Sequence, residues 1–290
     1  MQMQNHPKMS EEVKISLKAM INKERTKVLF AESDGYFVNV LLSFLTLPIG
    51  RIMKLLEKHY GADTPIIGCL NTLYNSIVNL DSRYFWTENA KQILINPISS
   101  FDSDDVSESE PCDIDRKSGV FIVDTTTFII SDDMQIMPKL VQTASIINIT
   151  EKEGVELLNV TFGLSEIMDL LTASIFSETP LSDVILGKQM EVKSLKVEYE
   201  NDISQVKNKE KEPGMIVEEM VLKMIVQKST KKFLFARCYK EVVDFLFSLS
   251  LIPLGGVERL LASNSSSKCI NNLYVSLSDP ETMSISSHQI

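Results

Sequence analysis

Histidine is nearly missing from this 290-residue chain: three occur, and His6 and His288 lie in the terminal tails. That leaves His59 as the sole internal imidazole, too few for a His-rich metal site or an HExxH zinc protease. Cysteine is also scarce. Cys69, Cys112, Cys238 and Cys269 form no CxxC pair, so they read as reduced thiols, with no disulfide framework and no zinc site. Neither GxxxxGK nor GxGxxG occurs, which removes the recognisable nucleotide loops. No apolar run reaches the roughly 20 residues a membrane helix needs, and the polar start MQMQNHPKMSEE has no signal-peptide character. The sequons at Asn148, Asn159 and Asn264 are therefore read as chance matches. Net charge is −10, and no basic stripe with interleaved aromatics stands out, so phosphate-driven nucleic-acid binding is not expected.

A core is present in quantity, since 44% of the residues are hydrophobic, enough for one or two domains. Much of it is written twice. Residues 17–56 align without a gap on residues 222–261, with 14 identities in 40 positions. Leu17/Leu222, Phe30/Phe235, Ser43/Ser248, Pro48/Pro253 and Gly50/Gly255 are among them. After a five-residue deletion, CLNTLYNS (69–76) matches CINNLYVS (269–276). One repeat at this spacing predicts two related halves rather than a solenoid.

Each copy opens with apolar alternation: Leu17, Ala19 and Ile21 in the first, Leu222, Met224 and Val226 in the second. A polar break follows (KERTK or KSTKK), then the run KVLFAES or KFLFARC; together these predict a hairpin. Asp34 stands where an N-cap belongs, ahead of an apolar helix. The second copy has Cys238-Tyr239 there and loses the cap. Pro48 lacks an N–H and is expected at the first position of a new helix that ends at Gly61, so TLPIG and LIPLG are helix–proline–helix corners. Gly50 costs helix propensity in that first turn. Its repetition as Gly255 implies close packing on a neighbouring backbone. A last helix carries the stripe Leu70, Leu73, Tyr74, Ile77, repeated as Ile270, Leu273, Tyr274, Leu277.

The expected organisation is therefore α+β, a duplicated β-hairpin–helix–helix unit with a partial third copy in the centre. A disordered N-terminus (1–12) precedes the first unit (13–97). An acidic loop (98–117), a central α/β segment (118–203) and a charged linker (204–217) lead to the second unit (218–279) and a tail (280–290). The central segment is expected to hold a hairpin around Ser131-Asp132-Asp133. Its helix is expected to be capped by Ser165 and broken at Thr179-Pro180 before Gly187.

Chemically interesting constellations are few, and no residue is assigned a catalytic, cofactor-binding or metal-binding role. Cys69/Cys269 and Asn71/Asn271 recur at equivalent points, where buried thiols and helix-capping amides suit them. His59 is expected to interact with the C-terminus of its own helix. The acidic loop fits no calcium-binding spacing. Ser107 in SESE precedes Glu110, an arrangement that suits acidophilic kinases.

These motifs together resemble one plant family, domain of unknown function 674. The resemblance rests on VLFAES…FVNVLLSFLTLPIG (28–50), CLNTLYNSI (69–77), LINP (94–97), FIISDDMQIMP (128–138), and the second copies FLFAR…VVDFLFSLSLIPLG and CINNLYVSL. Many members carry a cysteine-rich segment resembling a metal knuckle between the LNP-like and ISDD-like motifs; here that interval is the acidic loop with Cys112 alone, so no metal role carries over. The resemblance implies a plant protein and brings no activity or catalytic residues. The function expected is a non-catalytic interaction or scaffold protein of the cytoplasm or nucleus, with an unknown protein partner, no cofactor, no nucleic acid and no membrane. The alternative is a small-molecule-binding protein or enzyme with its site between the two halves.

Overall fold

A computed structural model of the chain describes residues 14–98, 121–122, 127–139, 155–187, 222–230, 232–261 and 267–278. The acidic loop with Ser107 and the charged linker lie outside these residues, as do Cys112 and both tails. The architecture is α+β. Strands β1 (Ile15–Asn22) and β2 (Val28–Ser33) form the first hairpin. Its polar break closes locally: Asn22 Oδ1 accepts from the N–H groups of Thr26 and Lys27 at 2.8 and 3.0 Å.

This hairpin lies inside a five-stranded antiparallel sheet of order β4-β3-β2-β1-β5. Strands β3 (Phe128–Ser131) and β4 (Ile136–Pro138) are the hairpin around Ser131-Asp132-Asp133. Strand β5 (Val155–Phe162) pairs with β1 along its length, from Ile15 opposite Phe162 to Asn22 opposite Val155. Both edges of the β1–β2 hairpin are thereby satisfied.

Helix α1 (Gly35–Ser43) follows, capped as expected by Asp34, which accepts from Phe37 N at 3.1 Å. All of its residues except Tyr36 are buried. Helix α2 (Ile49–Tyr60) starts one residue later than expected. Pro48 is its cap rather than its first residue, because ψ 146° is extended. Helices α3 (Leu70–Asn79) and α4 (Glu88–Ile95) complete the first unit. In the centre, α5 (Leu164–Phe176) is capped by Gly163, not Ser165. Gly163 is extended and its N–H donates to Glu166 Oε2 at 2.8 Å, which puts Ser165 inside the first turn. Pro180 opens α6 (Pro180–Ile185).

Residues 222–278 run through strand, strand, helix, 3₁₀ turn, helix, helix, the succession of residues 15–79 apart from a further 3₁₀ turn, Gly61–Asp63, in the first copy. These are β6 (Leu222–Val226), β7 (Phe233–Cys238), α7 (Lys240–Ser248), α8 (Leu254–Leu261) and α9 (Lys268–Ser278). The two proline corners meet. Ile49 N–H donates to Ile252 O and Leu254 N–H to Leu47 O, both at 3.0 Å, so Pro48 and Pro253 face each other as an antiparallel bridge. The glycines make that approach possible. A Cβ on Gly50 would stand 2.7 Å from Leu94 O and 3.1 Å from Ser250 O; one on Gly255 would stand 3.1 Å from Leu45 O. Ser250 and Leu45 are themselves equivalent in the repeat, so the contact is reciprocal.

The last helices also cross over. Cys269, Ile270 and Leu273 of α9 are buried in the core with Leu42, Phe44 and Leu171. In turn α3 packs against α7, and Phe85 stacks on Phe247 with ring centroids 6.1 Å apart. Each repeat thus covers part of the other.

Candidate functional site

Three places gather polar or exposed groups, and the ISDD turn is the most buried. Met134 takes φ 66° there, and Ser131 O accepts from Met134 N. Asp132 points into the protein. Its Oδ1 accepts from Ser182 N at 2.8 Å and its Oδ2 from Ser182 Oγ at 2.7 Å. Ser182 Oγ also accepts from Val28 N at 2.7 Å. Burial pushes Asp132 above the ordinary carboxylate range despite the Ser182 bonds. Asp133 points the other way: Ser131 Oγ donates to it at 2.6 Å and Lys268 Nζ lies 2.9 Å away. Burial alone would raise its pKa, but the Ser131 and Lys268 contacts outweigh that and lower it. Asn272 Nδ2 donates to Asp133 O at 2.7 Å, and Ile136 N to Ser276 Oγ at 3.1 Å.

One turn therefore ties β2, α6 and α9 together. Chemically it is a lock. The Ser182 hydroxyl is fully buried, donating to Asp132 and accepting from Val28 N, so both of its bonds are spent on structure. Ser182 carried no sequence signal, because its partners are some 50 and 154 residues away.

His59 forms the second cluster, and its expected role is corrected. Its Nε2 lies 3.0 Å from Asp169 Oδ1 on α5, so the partner is a carboxylate across a helix pair rather than its own helix terminus. Tyr60 Oη donates to the same oxygen at 2.6 Å. Burial and Asp169 hold that phenol protonated well above its ordinary range. The cluster pins α2 to α5.

The repeated thiols and amides diverge. Cys269 is buried as expected, its Sγ 3.2 Å from Ser177 O, and burial with the nearby Asp133 and Asp132 charges pushes the thiol up to about 12. Cys69 is exposed at the start of α3, whereas Cys269 sits in the core with Ile270 and Leu273. Asn71 accepts from Ile67 N at 2.6 Å and ties the loop before α3. In α9 it is Asn272, not Asn271, that makes the tertiary contact. Among the described residues no cluster of His, Cys, Asp or Glu could hold a metal ion. A cavity of about 20 Å³, room for one water, lies between Leu42, Phe128, Ile136 and Leu277.

The third place is the second hairpin, and it differs most from its counterpart. Leu17, Ala19, Val28 and Phe30 are 0–5% exposed, whereas Leu222, Met224, Phe233 and Phe235 at the equivalent positions are 47–63% exposed. Among the described residues no strand pairs with either edge of β6–β7. Helix α7 continues the face: it has no buried residue, and Phe245 and Leu246 are exposed where Val40 and Leu41 are buried. The physical cause is the covering layer. Strands β3 and β5 flank the first hairpin and α5 and α6 fill its core, and no second set of these elements is seen among the described residues. The apolar alternation was legible in the sequence, but its lack of a cover was not.

A family model described as "Protein of unknown function (DUF674)" matches residues 11–105 and again residues 100–289. No curated protein and no solved structure matches the chain. The two matched segments span nearly the whole sequence and include both proline corners, the ISDD turn and both hairpins, so the chain belongs to the DUF674 family.

Proposed function

We propose that this protein is a non-catalytic interaction protein and that its binding face is the β6–β7 hairpin together with α7. One observation carries the reading: apolar side chains buried in the first hairpin have equivalents in the second that are about half exposed. An exposed, contiguous apolar patch of this kind marks an interaction site or an aggregation liability. A two-stranded hairpin with neither edge paired among the described residues is marginal in water, so a partner would stabilise it. The alternative of a ligand site between the halves is less well supported. The halves meet there through a backbone bridge and glycine contacts, which leave little room. Unpaired thiols at Cys69, Cys238 and Cys269 favour a reducing, intracellular setting. No helix among the described residues is long and apolar enough to cross a membrane.

The test compares proteins retained from native extract by the full chain, by Phe235→Glu and by Ile66→Glu, an exposed control outside the face. The same proteins should stay with the wild type and Ile66→Glu and be lost with Phe235→Glu. Equal retention by all three would refute the assignment of the face.

A further inference from the structure

Charge on the open hairpin indicates what kind of partner it fits. Residues 222–238 hold Lys223, Lys228, Lys231, Lys232 and Arg237 and not one acid, in a chain of net charge −10. The first hairpin is mixed, with Glu24 and Glu32 among its cations. One of its cations and one of its acids pair with the side that covers it. Arg25 pairs with Glu156 on β5, its Nε 2.9 Å from the carboxylate. On the other side Glu32 pairs with Lys139, which follows β4, at 2.8 Å. The repeat puts Arg237 at the position of Glu32, so the sign there is reversed. In the first copy β2 receives β3 antiparallel, with Glu32 opposite Ile129 and Ala31 opposite Ile130. The same edge on β7 is vacant among the described residues and carries Phe233, Phe235 and Arg237.

We infer that the β7 edge accepts an extended acidic segment of a partner protein as an added antiparallel strand, with apolar residues facing the hairpin and a carboxylate facing Arg237. This rests on the reading of the face as a docking surface and gives the partner its chemistry. Main-chain bonds to the open edge supply affinity, and alternate side chains and the carboxylate supply selectivity. A second copy of this hairpin is the poorer occupant, because it brings a further set of cations and no acid.

The experiment uses full-length protein and a fluorescent peptide of about ten residues, long enough for one strand, with one face reading Glu, Val, Ile in chain order to stand opposite Arg237, Phe235 and Phe233 in an antiparallel pair, and Thr on the other face. Controls replace every Glu with Lys, or N-methylate alternate amides so that one edge cannot donate. Anisotropy should show the acidic peptide binding at least about tenfold tighter than the Lys peptide, a difference of about 1.4 kcal/mol. Arg237→Glu should erase most of that preference, and Arg237→Gln about half of it, with unchanged far-UV circular dichroism in both. The N-methylated peptide should not bind. Equal binding of both charged peptides would overturn the inference, as would indifference to N-methylation. Absence of any binding would mean that the lysines merely keep the edge unpaired. Tighter binding of a thymidine oligomer of about 20 nucleotides would assign the face to nucleic acid. A dimer in solution that Phe235→Glu dissociates would assign it to a second copy. If the peptides fail while Phe235→Glu still releases captured proteins, strand addition falls and the interaction reading stands.

Discussion

Gly50→Ala is the substitution whose effect follows most directly from the way the two repeats meet. On a free helix it would gain up to about 1 kcal/mol, since Ala is the better helix former. Here the new Cβ would lie 2.7 Å from Leu94 O, 3.1 Å from Ser250 O and 3.2 Å from Ser250 Cβ. A carbon atom needs about 3.5 Å or more to reach its attractive minimum, so either α4 or the 3₁₀ turn Leu249–Leu251 must move. Both obstacles at the shortest distances are backbone, which cannot swing aside as a side chain would. Overpacking of this kind costs about 1–3 kcal/mol, so the propensity gain is offset and Gly50→Ala should destabilise by about 1–2 kcal/mol. Gly255→Ala meets Leu45 O at 3.1 Å and Leu45 Cβ at 3.3 Å. A shift of a few tenths of an ångström relieves these contacts, and the net effect should stay within about 0.5 kcal/mol of zero. Urea unfolding followed by far-UV circular dichroism gives the two midpoints. Both variants press on one bridge, so their effects should not add. A Gly50→Ala protein as stable as the wild type would refute the close packing of Gly50 on α4 and on Ser250 of the other repeat.

Pro48→Ala and Pro253→Ala should each cost about 0.4–1 kcal/mol, mainly by freeing the unfolded chain, measured by the same denaturation. Ser182→Ala strands Val28 N–H and one oxygen of Asp132 in the interior, and the urea midpoint should report a loss of about 1–3 kcal/mol. Asp132 has a raised folded pKa, so its ionisation costs stability as pH climbs from the unfolded value through the folded one. Asp132→Asn removes that titration. Its stability relative to wild type should therefore improve between about pH 4 and pH 7, and midpoints at the two pH values that shift oppositely would refute the burial argument. Iodoacetamide on the native protein should label Cys69 and Cys238 and spare Cys269 until denaturant is added, as peptide mass mapping will show.

The sequence by itself determined the local vocabulary. Alternation at Leu17–Ile21 and Leu222–Val226 specified strands, Asp34 specified a cap, Pro48 and Pro253 specified corners, and the repeated glycines implied a close backbone approach. All of these depend on neighbours within a few residues or on the covalent geometry of proline and glycine. What Gly50 and Gly255 approach was decided only in three dimensions: Gly50 meets Leu94 on α4 and Ser250 in the other repeat, and Gly255 meets Leu45, the last two some 200 residues away in sequence. The same holds for His59, whose carboxylate partner is 110 residues distant. Cys69 and Cys269 make the limit plain: each opens a similar stretch, CLNTLYNS or CINNLYVS, yet one thiol is exposed and the other is sealed in the core. The two hairpins make it plainer still. Their patterns are alike, but burial is a property of the covering layer, and β3, β5, α5 and α6 cover only the first. Periodicity records which face of a strand is apolar; only the packed structure decides whether that face belongs to the core or is left for a partner.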